Sequence, residues 1–155
     1  MSSYKEFQKL NIGCGVKKEK DAWNIDSNPD VEPDEVVDII KELPYEDNSF
    51  QKVIADYVLC QICKREDLRN VLNEIHRVLK PNGILKLKVA NAEANYSEAI
   101  RDPWDCREFV PETFTHFDVN HYRYKVFKYG FKPWHKISVK PERETRLLVK
   151  MSPYK

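Results

Sequence analysis

Apolar and polar residues alternate along this chain with two distinct periods. Leu10 to Gly13 and Ala22 to Asp26 are short apolar runs, the second stopped by Ser27-Asn28-Pro29-Asp30, and both predict buried strands. A third strand is expected around Val36 and Val37 and a fourth from Lys52 to Val58. From Arg65 to Leu79 the period changes: Leu68, Val71, Leu72, Ile75, Val78 and Leu79 recur every three or four residues, the spacing of a one-faced helix stopped by Lys80-Pro81-Asn82-Gly83. Ile84 to Asn91 reads as a fifth strand with one face partly exposed. Residues 93–118 have no clean period and predict an irregular excursion. Val119 to Tyr129 predicts a helix closed by Gly130, and Trp134–Val139 and Thr145–Met151 predict two strands joined by a short turn.

Strands interspersed with helices predict an α/β fold, a seven-stranded, mostly parallel, doubly wound sheet covered on both faces, with a C-terminal antiparallel hairpin. The 155 residues, 41% hydrophobic and 33% charged, fill one core, so 1–155 is read as a single domain. No apolar run reaches membrane-spanning length and the start resembles no secretory signal, so a cytoplasmic protein is expected. The net charge of +1 gives no general attraction to nucleic acid or membrane. Its distribution is uneven, with ten Lys or Arg against four Asp or Glu after Val110, and 16 against 21 before it.

The cysteines, Cys14, Cys60, Cys63 and Cys106, are expected to be reduced. Cys60 and Cys63 have C-x-x-C spacing, but the four histidines lack ligand spacing and no metal site is expected.

Ligands of such sheets bind where the strands' carboxyl ends open a crevice, which directs attention to the residues after each strand. Gly13-Cys14-Gly15 lets backbone approach a ligand. Asp26 stands where a carboxylate can accept from both hydroxyls of a ribose, or can cap the Asn28-Pro29 turn. Asp38, before Ile39 and Ile40, can meet an adenine amino group or cap its strand. The G-x-G-x-x-G fingerprint is incomplete, which argues against a pyrophosphate-bearing dinucleotide and hence a nicotinamide oxidoreductase.

These residues resemble class I S-adenosylmethionine-dependent methyltransferases, most closely the small methyltransferase-11-like group. The resemblance lies in LNIGCG, WNIDSNPD, VVDIIKELPYEDNSFQKVIADYVLCQI and NEIHRVLKPNGILKLKV, between Leu10 and Asn91. It implies S-adenosylmethionine as cofactor, with Asn11, Gly13, Cys14 and Gly15 at its methionine part, Asp26 and Ser27 at its ribose, Asp38 and Ile39 at its adenine, and Ala55 and Asp56 at its sulfonium. It implies methyl transfer and nothing finer; the acceptor expected here is a small molecule, a sugar or other metabolite. Asn11 replaces the usual acid, and Tyr57-Val58-Leu59-Cys60-Gln61 replaces a stretch that carries histidines and a glutamate in relatives. Tyr57 and Gln61 are the side chains left to orient the acceptor, and neither is a comfortable base near neutral pH. His116 and His121 are further candidate bases. The changed stretch leaves open an alternative, a weakly active or inactive cofactor-binding subunit. The family's N-terminal lid helices are not expected, which predicts a homodimer or a partner chain over the crevice. Motifs of DNA amino-methylating and cytosine-ring enzymes are not present in the sequence, so nucleic acid is not the expected acceptor.

Overall fold

The structure, a computed structural model, describes residues 3–155. Its strands are β1 (Lys9–Ile12), β2 (Trp23–Asp26), β3 (Glu35–Val36), β4 (Phe50–Asp56), β5 (Leu79–Ala90), β6 (Trp134–Glu142) and β7 (Arg146–Pro153). They form one sheet in the order β3-β2-β1-β4-β5-β7-β6. Neighbours from β3 to β5 are parallel, while β7 pairs antiparallel with both β5 and β6, so the expected fold class and terminal hairpin stand. Strand order reverses between β1 and β4, which puts a crevice at their carboxyl ends.

Helix α1 (Arg65–Val78) presents Leu68, Val71, Leu72, Ile75 and Val78 to the core. Glu66 and Asp67 in its first turn and Arg77 in its last complement the helix dipole. The helix stops one residue before the expected end, and Lys80 to Gly83, read from sequence as a stop, belong with Leu79 to β5, with a register shift opposite Phe50 and Lys52. The excursion after β5 contains α2 (Tyr96–Ala99) and the 3-10 helix Pro111–His116. Helix α3 (Tyr122–Phe127) is much shorter than the expected 119–129, because Asp118 caps a turn ahead of it through Asn120 N–H (2.9 Å) and Lys128 turns left-handed behind it.

Coverage of both sheet faces is corrected by the structure. The connections 13–22, 27–34 and 37–49 hold no α-helix, only the 3-10 turn Pro29–Val31, so they are too short and too irregular to build a second layer. One face carries Leu10, Ile12, Ile25, Val53, Leu85, Leu87, Val89, Leu147, Val149 and Met151, all buried in a single core with α1, Phe109, Phe114 and Trp134. The pairing register puts Lys52, Ile54 and Asp56 of β4 beside Ile84, Lys86 and Lys88 of β5 on the other face. There, Lys86 stands opposite Lys150, Lys88 opposite Leu148, and Ala90 opposite Arg146. Ser138, Lys140 and Glu142 of β6 complete these rows. No helix covers this half of the sheet among the described residues.

The helix-free crossover 37–49 is held to α1 by charge-assisted hydrogen bonds and by the Arg77–Asp47 ion pair (2.9 Å) instead. Glu74 accepts from Leu43 N–H (2.9 Å) and from the Arg77 guanidinium (2.7 Å), while Arg77 also donates to the carbonyls of Leu43 and Tyr45. These bonds hold the Glu74 carboxyl below the usual carboxylate range.

The expectation of reduced thiols is also corrected. Cys63 is disulfide-bonded to Cys106, with Cα atoms 5.4 Å apart, so the C-x-x-C spacing does not make a pair. Cys60 is buried and free, its thiol pushed up to about 12 mainly by burial. The bridge ties the excursion after β5 to the entrance of α1.

Candidate functional site

Because β1 to β4 run parallel, the residues that follow them gather at one edge. Gly13 and Gly15 have φ of 60° and 51°, a conformation that disfavours any side chain. A Cβ on Gly13 would meet Val58 Cγ2 at 2.5 Å, so glycine lets the turn after β1 close against the chain leaving β4. A Cβ on Gly15 would meet nothing within 4 Å; the turn is open there.

The Gly15 N–H donates to Asp26 Oδ2 (2.8 Å), and the Asn28 N–H donates to Oδ1 (2.9 Å). Asp26 therefore caps its turn and fixes the glycine bend, and these two bonds use half of the carboxylate's roughly four acceptor positions. Asp38 stands on the same edge: the Val37 N–H donates to the Asp26 carbonyl (2.9 Å), and the exposed Asp38 carboxylate accepts from Ile40 N–H (3.2 Å). Ile39 is half-buried beside it and Ser27 is exposed. Cys14 is buried, with its N–H on the Ile25 carbonyl (3.0 Å), and burial raises its thiol.

Two expected residues are placed away from the opening. Asn11 is buried on the uncovered face, and its amide donates to Asn24 Oδ1 (2.9 Å); Asn24 in turn holds the Glu19 and Ala22 carbonyls and so anchors the loop after Gly15. Ala55 lies in the hydrophobic core, fully buried. Its neighbour Asp56 points the other way, and its Oδ1 is buried without a hydrogen-bond partner. Burial pushes the Asp56 carboxyl above the ordinary range, against the pull of Lys86 and Lys88.

Tyr57 follows with a left-handed φ of 60°, unusual for an aromatic residue, which swings its ring out of the strand. The Arg146 guanidinium lies 5.6 Å from the ring centroid, and burial raises the Tyr57 hydroxyl. Gln61 is exposed at the end of the turn Leu59–Gln61.

The comparisons with known proteins bear on this edge. Residues 21–87 match the methyltransferase domain family of the methyltransferase-11 type. A search of curated proteins finds no match. An S-adenosylmethionine-dependent methyltransferase from Methanosarcina mazei superimposes with a TM-score of 0.65 at 14% identity, covering 96% of this chain and 93% of that one. Another, from Archaeoglobus fulgidus, gives 0.67 at 16%, over 96% and 87%. A third neighbour comes from the complex between the Haloferax volcanii Trm112 methyltransferase activator and a methyltransferase, with a TM-score of 0.62 at 15%, over 96% and 83%. The fold is the one these methyltransferase structures share, and the family match covers residues 21–87 of it.

Together, match and fold support a methyltransferase with S-adenosylmethionine as cofactor. The crevice edge fits such a group in three respects: an open glycine turn, a carboxylate with spare acceptor positions, and an unsatisfied buried oxygen on Asp56. Sequence reasoning missed Val58 and Arg146, the latter because only pairing of β7 with β5 carries it to Tyr57.

The candidate histidines are not brought to this edge. His116 lines a cleft of about 470 Å3 with Arg65, Arg69, Arg107 and Phe131, and none of the glycine-turn residues shares that lining. Its ring lies against Phe127 and Tyr129 at centroid distances of 5.4 and 5.7 Å. His121 Nδ1 accepts from Arg123 N–H (3.2 Å) and caps α3.

Proposed function

We propose that this chain catalyses methyl transfer from S-adenosylmethionine to a small-molecule acceptor, a sugar or other metabolite, lodged beside Asp56, Tyr57 and Gln61. Asp26 holds the ribose hydroxyls, Asp38 and Ile39 the adenine, and the Gly13–Gly15 backbone the methionine part. The bound cofactor supplies an electrophilic methyl group on sulfur. The protein's task is then to align donor and acceptor and to remove water and a proton. Tyr57 and Gln61 orient the acceptor. Asp56 takes its proton, a role supported by the buried unpartnered Oδ1 and by the raised affinity of this carboxyl for protons.

The observation that carries this reading is the Asp26 carboxylate clamped to the glycine bend by Gly15 N–H at the crevice edge. Calorimetry with S-adenosylmethionine and its demethylated product tests it. Asp26→Ala is expected to lose two charge-assisted hydrogen bonds of about 1.5–3 kcal/mol each, a fall in affinity of at least a hundredfold. Unchanged affinity overturns the assignment. Asp56→Asn is expected to keep the donor and lose labelled methyl transfer. Because the folded Asp56 titrates above the ordinary carboxylate range, the wild-type rate rises with pH through that displaced value, and the variant lacks this limb.

A second reading, a cofactor-binding subunit without chemistry of its own, is favoured by the raised Tyr57 hydroxyl, which stays protonated near neutral pH and makes a poor base. It extends to this chain the arrangement of the Haloferax complex, in which a methyltransferase sits with an activator. Donor binding without label transfer, restored by a partner chain or by dimerisation, distinguishes it.

A further inference from the structure

The uncovered sheet face is a cationic platform. Lys86 and Lys88 of β5, Lys140 of β6, and Arg146 and Lys150 of β7 stand on it in adjoining rows. Lys9 and Lys52, neighbours across β1 and β4, extend it at one end. Against these cations the face of β4 to β7 offers only Asp56 and Glu142, and the single ion pair among them is Lys88–Glu142 at 3.2 Å. Alternate residues on a strand are about 6.6 Å apart and strands about 4.8 Å apart, so the array is regularly spaced.

Lys86 directly opposes Lys150. Like charges in that position destabilise a sheet, and a local rule broken without structural gain marks a surface shaped by something outside the fold. The overall charge of +1 conceals this, because the compensating acids lie elsewhere.

The composition of the platform selects its occupant. Lysine is depleted from protein interfaces, whose energy comes from aromatic and arginine anchors, and among the platform's side chains no aromatic stands. Membrane-surface binding needs several protruding apolar groups beside the cations; on this face of β4 and β5 Ile84 is 40% exposed, while Ile54 is 3% exposed. Lysines serving as point charges suit phosphates, contacted without regard to sequence. At the carboxyl edge of the same sheet the partly exposed Tyr57 ring, backed by Arg146, offers a stacking surface for a base.

We infer that the open face of β4, β5, β7 and β6 binds the phosphate backbone of a nucleic acid strand, centred on Lys86 and Lys150. This goes beyond the methyl-transfer reading and does not depend on it.

Fluorescence anisotropy with a labelled oligouridine tests the inference. Binding is expected at low salt, with the logarithm of affinity falling against that of salt concentration with a slope of about −3, as for four or five neutralised phosphates on a single strand. Reversing both central charges, Lys86→Glu with Lys150→Glu, is expected to weaken binding at least about tenfold, while Lys125→Glu on α3 leaves it unchanged. Lys86→Glu alone creates an opposite-charge pair with Lys150, so its loss of binding at an unchanged or raised melting temperature separates recognition from folding. No binding at low salt, or binding indifferent to these reversals, overturns the inference. Tighter binding of polyglutamate or of phosphatidylserine vesicles than of oligouridine overturns it too, in favour of an acidic protein or a membrane surface.

Discussion

The two faces of this sheet are written in the same strands and obey different physics. On β5, Leu85, Leu87 and Val89 are completely buried against α1 and the excursion, while Lys86 and Lys88, their immediate neighbours, point to the uncovered side. One face derives its stability from exclusion of water, at about 25 cal/mol per Å2 of apolar surface. The other concentrates charge instead. A sheet in this fold can therefore hold together with a single layer of helix, provided that the second face is polar enough to stay wet.

That contrast breaks most sharply at adjacent residues. Leu87→Ala is expected to cost about 2–5 kcal/mol, because it leaves a cavity in the core, whereas Lys86→Ala stays within about 0.5 kcal/mol of wild type. Urea unfolding of the two variants measures both. Equal losses mean that the uncovered face is structurally required after all.

The covered face also depends on a covalent tie. The Cys63–Cys106 bridge closes a loop of 43 residues that contains α1, β5 and the first part of the excursion, just ahead of the core residues Phe109, Phe114 and Phe117. Cys106→Ser is expected to lose about 2–4 kcal/mol, and a reducing agent should bring wild-type protein to the same midpoint in thermal unfolding. A variant as stable as the parent would show that apolar packing alone holds the excursion down.

The smallest effect sharpens the comparison. Lys86→Glu replaces the repulsive pair with Lys150 by an attractive one and is expected to stabilise the sheet by about 0.2–1 kcal/mol, less so at high salt. Melting curves at two ionic strengths check the sign.

Much of this was legible in the sequence, since the succession of elements along the chain follows from which runs are apolar and which turns carry glycine or proline. The Lys-Leu-Lys-Val alternation of β5 marked one face as exposed. General expectation of a doubly covered sheet outweighed it, although connections 13–22 and 27–34 are too short for a packed helix. At the site, Asp26 could be read as ribose ligand or turn cap, and its two oxygens satisfy the cap while leaving positions for the ligand. What escaped detection is long-range. Cys63 and Cys106 are brought together by a fold that no spacing rule encodes, and Arg146 reaches Tyr57 only through the insertion of β7 beside β5.

That insertion sets an order of events during synthesis. Within the sheet β6 hydrogen-bonds only to β7, which leaves the ribosome after it. The earlier strand must therefore wait, unpaired, for the later one to slot in beside β5, and until then the Trp134 end of the apolar layer lies open. A chain stalled between the two strands would present raw sheet edge to its neighbours, which makes the passage from residue 134 to residue 153 the interval when a nascent copy most needs shielding.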